Sequence, residues 1–481
     1  MVPRLPPLIA QLRQLAQGYR GFHTPGHQRG QGAPAILRAW WGEAVFTADL
    51  AEIPGLDNLG QPEGVLREAQ GRVAEIFGAA HSWFLVNGAT AGVLASLLAV
   101  HRENGCVILP RQVHQSVIHG LILTGAKPIF ILPEWDAQQQ VWGGIDPGKL
   151  KAILASKNQG SINALVLNSP TYKGVCGPVA ECIEMAHEYD IPVIVDEAHG
   201  AHFPFHPQLP ASALTLGADV VIHSTHKVLT SLTQSALLHH QGQRIAPQRI
   251  GQCLRLVQSS SPSYLLLASL VAMAEQMAEQ GEALFDHLLT QLTWFVPAIN
   301  RIPGCHTLKI NTDQVGFTTQ DPTRLVLQTQ ELGMTGFRLD ELLHKQYQIT
   351  AEFPDYADLT FILSPSHTEA DLQSMVQALQ EISATQLGKP LTLLPPLPPV
   401  TEPVMSPREA FFATQSVLPW HEAIGRISAA TVSPYPPGIP LLLPGERITP
   451  EVVEYLQEID RLGGQIVGCD GDKKISVVSN S

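Results

Sequence analysis

The sequence predicts an α/β protein: a large domain on a mainly parallel sheet, then a small α/β domain and a C-terminal domain. Three observations predict it. Residues 64–240 alternate helical stretches with short β-branched runs, the pattern of strands joined by helical crossovers. Those runs are apolar at nearly every position, as in a sheet covered on both faces. The composition, 44% hydrophobic and 15% charged over 481 residues, is that of a globular chain long enough for about three domains.

Taken in order, residues 1–55 form an N-terminal segment that precedes the alternation. The large domain, 56–290, should carry strands at 106–109, 128–132, 164–167, 193–196, 219–223 and 235–239. A helix is expected over 178–189, opened by a proline and closed before IPVIVDE. Leu, Ala and Met at helical spacing over 265–291 predict a long helix leaving this domain. The small α/β domain, 291–386, should hold helices over 340–346 and 369–382. Seven prolines in the 21 residues of 387–407 make a semi-rigid extended linker. In the last domain, 408–481, a short helix is expected near 407–412 and another over 449–462, with PYPPGIPLLLPGE at 434–446 between them.

Charge and composition narrow the function. Thirty basic against 43 acidic residues leave a formal charge of −13, which repels phosphate backbones and attracts cationic small molecules. Nucleic acid is therefore not expected as a partner. The longest apolar stretches, 92–100 and 265–274, are shorter than the ~18 residues a membrane helix needs, so no membrane role is expected. The N-terminus has no secretory pattern, which predicts a cytoplasmic protein. Six cysteines without a C-x-x-C pair argue against disulfides and thiolate metal sites.

The chemistry concentrates at predicted strand ends. In DVVIHSTHKVLTSLTQSALLHH an apolar run stops at Ser224, Thr225, His226 and Lys227, one of only 11 lysines in the chain. Ligands of parallel sheets bind at the carboxyl ends of strands, so Lys227 is a candidate catalytic amine. IPVIVDEAHGAH ends another strand at Asp196, next to Ala198 and His199. A carboxylate and a lysine on strand ends suit pyridoxal 5'-phosphate, whose aldehyde condenses with the amine and whose pyridine nitrogen is held protonated by the carboxylate. At about 4 Å and an effective dielectric of 20 that attraction is worth roughly 4 kcal/mol, enough to keep a weak base protonated. Gly88, Ala89 and Thr90 open a helix after an apolar run and could seat a phosphate on backbone N–H groups. His114, just after another strand, could stack on the ring, although a lone histidine there is more often structural.

Together these features identify a resemblance. FHTPGHQRG, GLDNLGQPEG, NGAT, SPTYKGVCG, DEAHGAH, STHK, SSSPSYLLLASL and GRISAATVSPYPPGIPLLLPGE, spread from 22 to 446, resemble the Orn/Lys/Arg decarboxylases. The resemblance implies an aspartate-aminotransferase-like (fold type I) large domain and decarboxylation of a basic L-amino acid to agmatine, cadaverine or putrescine, arginine favoured. It implies that Lys227 carries the cofactor, Asp196 pairs its pyridine nitrogen, and His114 and Ala198 flank the ring. Gly88, Ala89, Thr90, Ser224 and His226 would then hold the phosphate. Ser261 would reach the phosphate of a neighbouring subunit, in a homodimer or dimer of dimers. Glu446, for which helix capping is an equal alternative, and His199 are the candidates for the substrate.

The chain also departs from the pattern. Ala89 replaces a second hydroxyl, Lys173 stands where an aromatic is common, and Val271 where an aspartate is frequent. The N-terminal wing of the long members is not expected. Two rival readings are a metal-dependent hydrolase using Asp196, His199 and His202, with Glu197 and His206 nearby, and a catalytically inactive regulatory homologue.

Overall fold

A computed structural model describes residues 5–17, 20–156, 161–392, 398, 403–435, 440–470 and 473–479. Most of the expected linker's proline run and the PPGI of the tail segment lie outside the described residues. The chain divides into two compact units, Met1–Ala99 with Pro192–Ala283, and Val100–Ile191 with Leu284–Ser481.

In the first unit, strands His81–Leu85, Val193–Asp196, Val220–His223 and Ala236–His240 are almost wholly buried, as their continuous apolar runs require. Val193–Asp196 lies parallel to Val220–His223, with Asp196 opposite Ile222. Ala236–His240 then returns antiparallel to Val220–His223, and His81–Leu85 pairs antiparallel with the returning strand. The parallel expectation fails at this return for a physical reason. Residues 224–235 hold only the four-residue helix Thr225–Val228, too little chain for the usual helical crossover.

Helix Gly88–Val100 packs closely on this sheet at Gly92. A Cβ there would come within 2.7 Å of Leu85 Cδ1 and 3.2 Å of Ile222 Cγ2. Helix Val65–Phe77 explains the GLDNLGQPEG motif. The Asp57 carboxylate accepts from the backbone N–H groups of Glu63, Gly64 and Leu66, satisfying donors at the helix start that would otherwise lack partners. The buried Tyr264 hydroxyl donates to Asp57 O and accepts from Asp57 N at 3.0 Å, tying SSSPSY to that motif. The long helix runs Tyr264–Asn300, past the expected end, and includes Pro297 in its last turn.

In the second unit, Cys106–Pro110 pairs in parallel with Lys127–Ile131 and with Ile162–Asn168. A separate antiparallel sheet orders His306–Thr307, Arg324–Gln328, Asp358–Ile362 and Phe353–Pro354, accompanied by helices Gly336–Tyr347 and Glu369–Gln386. Thr368 and Asp371 form a capping box that starts the latter helix. Helix Pro407–Phe412 has the same device in Ser406 and Glu409. Strands Gln415–Pro419, Lys474–Val478 and Cys469–Asp470 and helix Pro450–Arg461 enclose a core that includes Trp420, Val432, Leu442, Leu456 and Val477. Among the described residues no helix is long and apolar enough to cross a membrane.

Candidate functional site

The first unit gathers six of the twelve candidate residues at or just beyond the carboxyl ends of two neighbouring parallel strands. Asp196 is buried at the end of its strand, and its Oδ1 accepts from Ala198 N at 3.1 Å, which folds the chain into the turn carrying His199. From the adjacent strand the chain passes through Ser224, at the N-cap, into helix Thr225–Val228, which presents Lys227. Lys227 Nζ lies 3.0 Å from His199 Nε2. An ammonium only donates, so in that state His199 Nε2 accepts. His199 is three residues beyond Asp196, so their Cα atoms lie at most about 11 Å apart.

The helix bearing Lys227 is held from below. Thr225 Oγ1 donates to Ser235 O at 3.2 Å, and His226 Nδ1 donates to the same carbonyl at 2.9 Å. The Nδ1 of His226 is thus committed to the backbone. Gly88 opens its helix in the left-handed region at φ +72°, and a Cβ placed there would find only Gln234 O, at 3.9 Å. Gly88 and Ala89 are half-buried and Thr90 is exposed, so the helix start is accessible. A buried carboxylate, an amine on the neighbouring strand end and an accessible helix start in one unit fit the aldehyde, ring nitrogen and phosphate of pyridoxal phosphate.

Sequence reasoning treated Glu197 only as a metal ligand. The structure makes it a buried fastening. Its carboxylate accepts from Ser212 Oγ at 2.7 Å and Ala213 N at 2.8 Å, and pairs with His223 Nε2 at 2.7 Å. With Glu197 so engaged and His199 on Lys227, the acidic and imidazole groups of DEAHGAH do not converge. Among the described residues no group of three or more His, Cys, Asp or Glu could hold a metal ion, and the hydrolase reading finds no support.

Ser261 is exposed, and its N–H donates to Ser259 Oγ at 3.1 Å; Ser259 N in turn donates to Asn87 Oδ1 at 3.2 Å. The serine run therefore lies beside the Asn87 turn of its own chain. His114 belongs to the second unit, where it is the N-cap of helix Gln115–Thr124 and accepts from Ser116 N at 3.2 Å.

Glu446 requires a correction. It is 1% exposed, and Arg111 grips both carboxylate oxygens, donating from Nη1 to Oε1 at 2.5 Å and from Nη2 to Oε2 at 2.8 Å. Leu443 N also donates to Oε2 at 2.8 Å. The cation that Glu446 meets is an internal arginine, so a substrate's cationic end has no place on it. No local pattern pointed to this pair, whose members stand 335 residues apart.

Comparison with known proteins follows the same lines. Residues 6–319 match the major domain of the Orn/Lys/Arg decarboxylases and residues 397–472 match their C-terminal domain. The arginine decarboxylase of Bacillus subtilis is 37% identical over 443 residues, covering 90% of this chain and 89% of that protein. The lysine decarboxylase of Pseudomonas aeruginosa is 26% identical, covering 97% of this chain and 78% of its own length. In structure, the Francisella novicida lysine decarboxylase superposes with a TM-score of 0.83 at 21% identity, over 99% of this chain and 81% of that one. That likeness bears out the α/β fold class. The chain belongs to the Orn/Lys/Arg decarboxylase family.

Proposed function

We propose that this protein is a pyridoxal-phosphate-dependent decarboxylase of a basic L-amino acid. The observation that carries the reading is the placement of Lys227 Nζ on His199, on the strand end next to the one that Asp196 closes. Lys227 is the covalent anchor. Asp196, buried and oriented by Ala198 N, holds a proton on the pyridine nitrogen. The bound cofactor supplies an electron sink for the negative charge left at Cα when CO2 departs. Ala198 lies against the ring, and His114 is assigned to its other face by the family resemblance.

Gly88, Ala89 and Thr90 supply backbone N–H groups, and Thr90 a hydroxyl, to the phosphate, with Ser224 and His226 beside them. His199 accepts a proton from Lys227 Nζ or returns it, which suits a lysine that must alternate between amine and ammonium. Arginine is the favoured substrate, supported by the 37% identical arginine decarboxylase, with lysine and ornithine next. The acidic balance of the chain favours a cationic substrate. A cytoplasmic homodimer or dimer of dimers, with Ser261 near a neighbouring phosphate, completes the reading.

Borohydride reduction followed by peptide mapping tests the anchor. The pyridoxyl label is expected on Lys227, and a label on another lysine refutes the assignment. Assayed side by side, at least one of arginine, lysine and ornithine should release CO2 far faster than neutral or acidic amino acids.

A further inference from the structure

The turn that follows strand His81–Leu85 lacks a strand to hold it. The ladder with Ala236–His240 ends at the pair Leu85 and Ala236, so the backbone of Val86, only 3% exposed, needs partners from elsewhere. Two glutamine side chains provide them. Gln234 Nε2 donates to Val86 O at 2.5 Å, while Gln258 Oε1 accepts from Val86 N at 2.9 Å. Gln258 Nε2 also donates to Phe84 O at 3.4 Å.

These glutamines come from different places. Gln258 follows helix Pro247–Val257. Gln234 sits in the short return between Lys227 and strand Ala236–His240, with its backbone in the left-handed region at φ +82°, a conformation uncommon for any residue but glycine. Its neighbour Ser235 offers the carbonyl on which Thr225 and His226 are fastened. One line of hydrogen bonds and chain therefore runs from the helix carrying Lys227, through Ser235 and Gln234, to Val86 and the start of helix Gly88–Val100.

We propose that Gln234 is a positioning residue, acting through Val86 O to fix the distance between the Lys227 amine and the Gly88–Thr90 turn, with Gln258 holding that turn from its other side. The inference rests on the proposed function, which seats the cofactor's phosphate on that turn. The amide of Gln234 is spent on the backbone of Val86. It sets the separation between two attachment points of one rigid molecule, so its loss should be felt by a ligand that uses both points and not by one that uses only the lysine end.

Pyridoxal, which lacks the phosphate, and pyridoxal phosphate are the two probes, with binding to cofactor-free protein measured by titration. Gln234→Ala and Gln258→Ala should each weaken pyridoxal phosphate about tenfold, the upper end of what one hydrogen bond contributes, and leave pyridoxal within about twofold of wild type. Gln258→Glu keeps the acceptor for Val86 N but loses the donor to Phe84 O, and should recover part of the loss. Gln234→Glu keeps the size but replaces the donor with an acceptor facing Val86 O; it should show the same selective loss and serves if the alanine variant does not fold. Equal weakening of both probes, or of neither, overturns the inference while leaving the phosphate seat intact. Wild-type protein binding both probes alike would instead refute the phosphate seat itself, and the inference with it.

Discussion

Replacing Lys173 by methionine separates burial from charge in the second unit. The ammonium of Lys173 lies 2.9 Å from Asp355 Oδ2 and 2.6 Å from Asp358 Oδ2, with side-chain exposures of 12%, 30% and 5%. Burial opposes the ammonium, but the two carboxylates outweigh it and hold Lys173 above the ordinary lysine range. Asp358 shares that one cation with Asp355, and burial pushes its carboxyl up to about 6. Methionine keeps the stem and removes the charge. Removing one partner of a buried pair typically costs about 3–5 kcal/mol, which is the loss expected at pH 8. The sign of the pH dependence follows from Asp358. Its folded pKa lies above the unfolded value and rises further without Lys173, so the folded state takes up the proton more readily than the unfolded one. The penalty is therefore full above the variant's folded pKa and fades as pH falls from there to about 6, below which Asp358 is protonated in both folded proteins, leaving roughly 1–2 kcal/mol at pH 5 for the lost hydrogen bonds. Urea unfolding of wild type and variant at both pH values measures the difference. Adding Asp358→Asn to Lys173→Met should restore most of the loss at pH 8. A penalty independent of pH, or no rescue by the asparagine, would refute the reasoning.

Two further outcomes are expected. Glu446→Gln removes the negative charge from a buried bidentate pair and should lower stability by about 3 kcal/mol in thermal unfolding with KM for the preferred amino acid unchanged; a raised KM at unchanged stability would return Glu446 to substrate binding. His239 is held neutral by burial, its pKa well below the ordinary histidine value, so below pH ~6.5 the unfolded chain takes a proton that the folded one refuses and stability falls by up to about 1.4 kcal/mol per pH unit. His239→Gln, which can still bond Ser82, should flatten that loss between pH 6.5 and 4.5, and parallel curves of melting temperature for the two proteins would count against it.

Elements with a strong local signal were legible in the sequence. Val193–Asp196 falls where its apolar run places it, and Pro407–Phe412 starts where Ser406, Pro407 and Glu409 announce a capped helix. The strand ends beside which Asp196 and Lys227 stand were legible because an unbroken apolar run stops at each. Contacts closed by distant parts of the chain were not. Arg111 on Glu446 and Lys173 on the pair Asp355 and Asp358 leave no periodic trace, since charged side chains pair through the fold and not along the chain. Lys173 itself read as a lost aromatic until its two carboxylates explained it. Gln234 and Gln258 escaped for a similar reason: a glutamine in a loop reads as solvent-facing unless the backbone it serves is seen to need a partner.

The brief return after Lys227 has a kinetic side. With Ser235 O fastening Thr225 and His226, the backbone beneath the lysine is held in place, and the freedom left to its amine is that of one aliphatic side chain. An amine tethered in this way behaves as though present at an effective molarity beyond any solution, roughly 10⁵–10⁸ M for well-oriented groups. In the reaction proposed above, the bond that Lys227 gives up would be remade in a unimolecular step, ahead of any free amine that diffuses in.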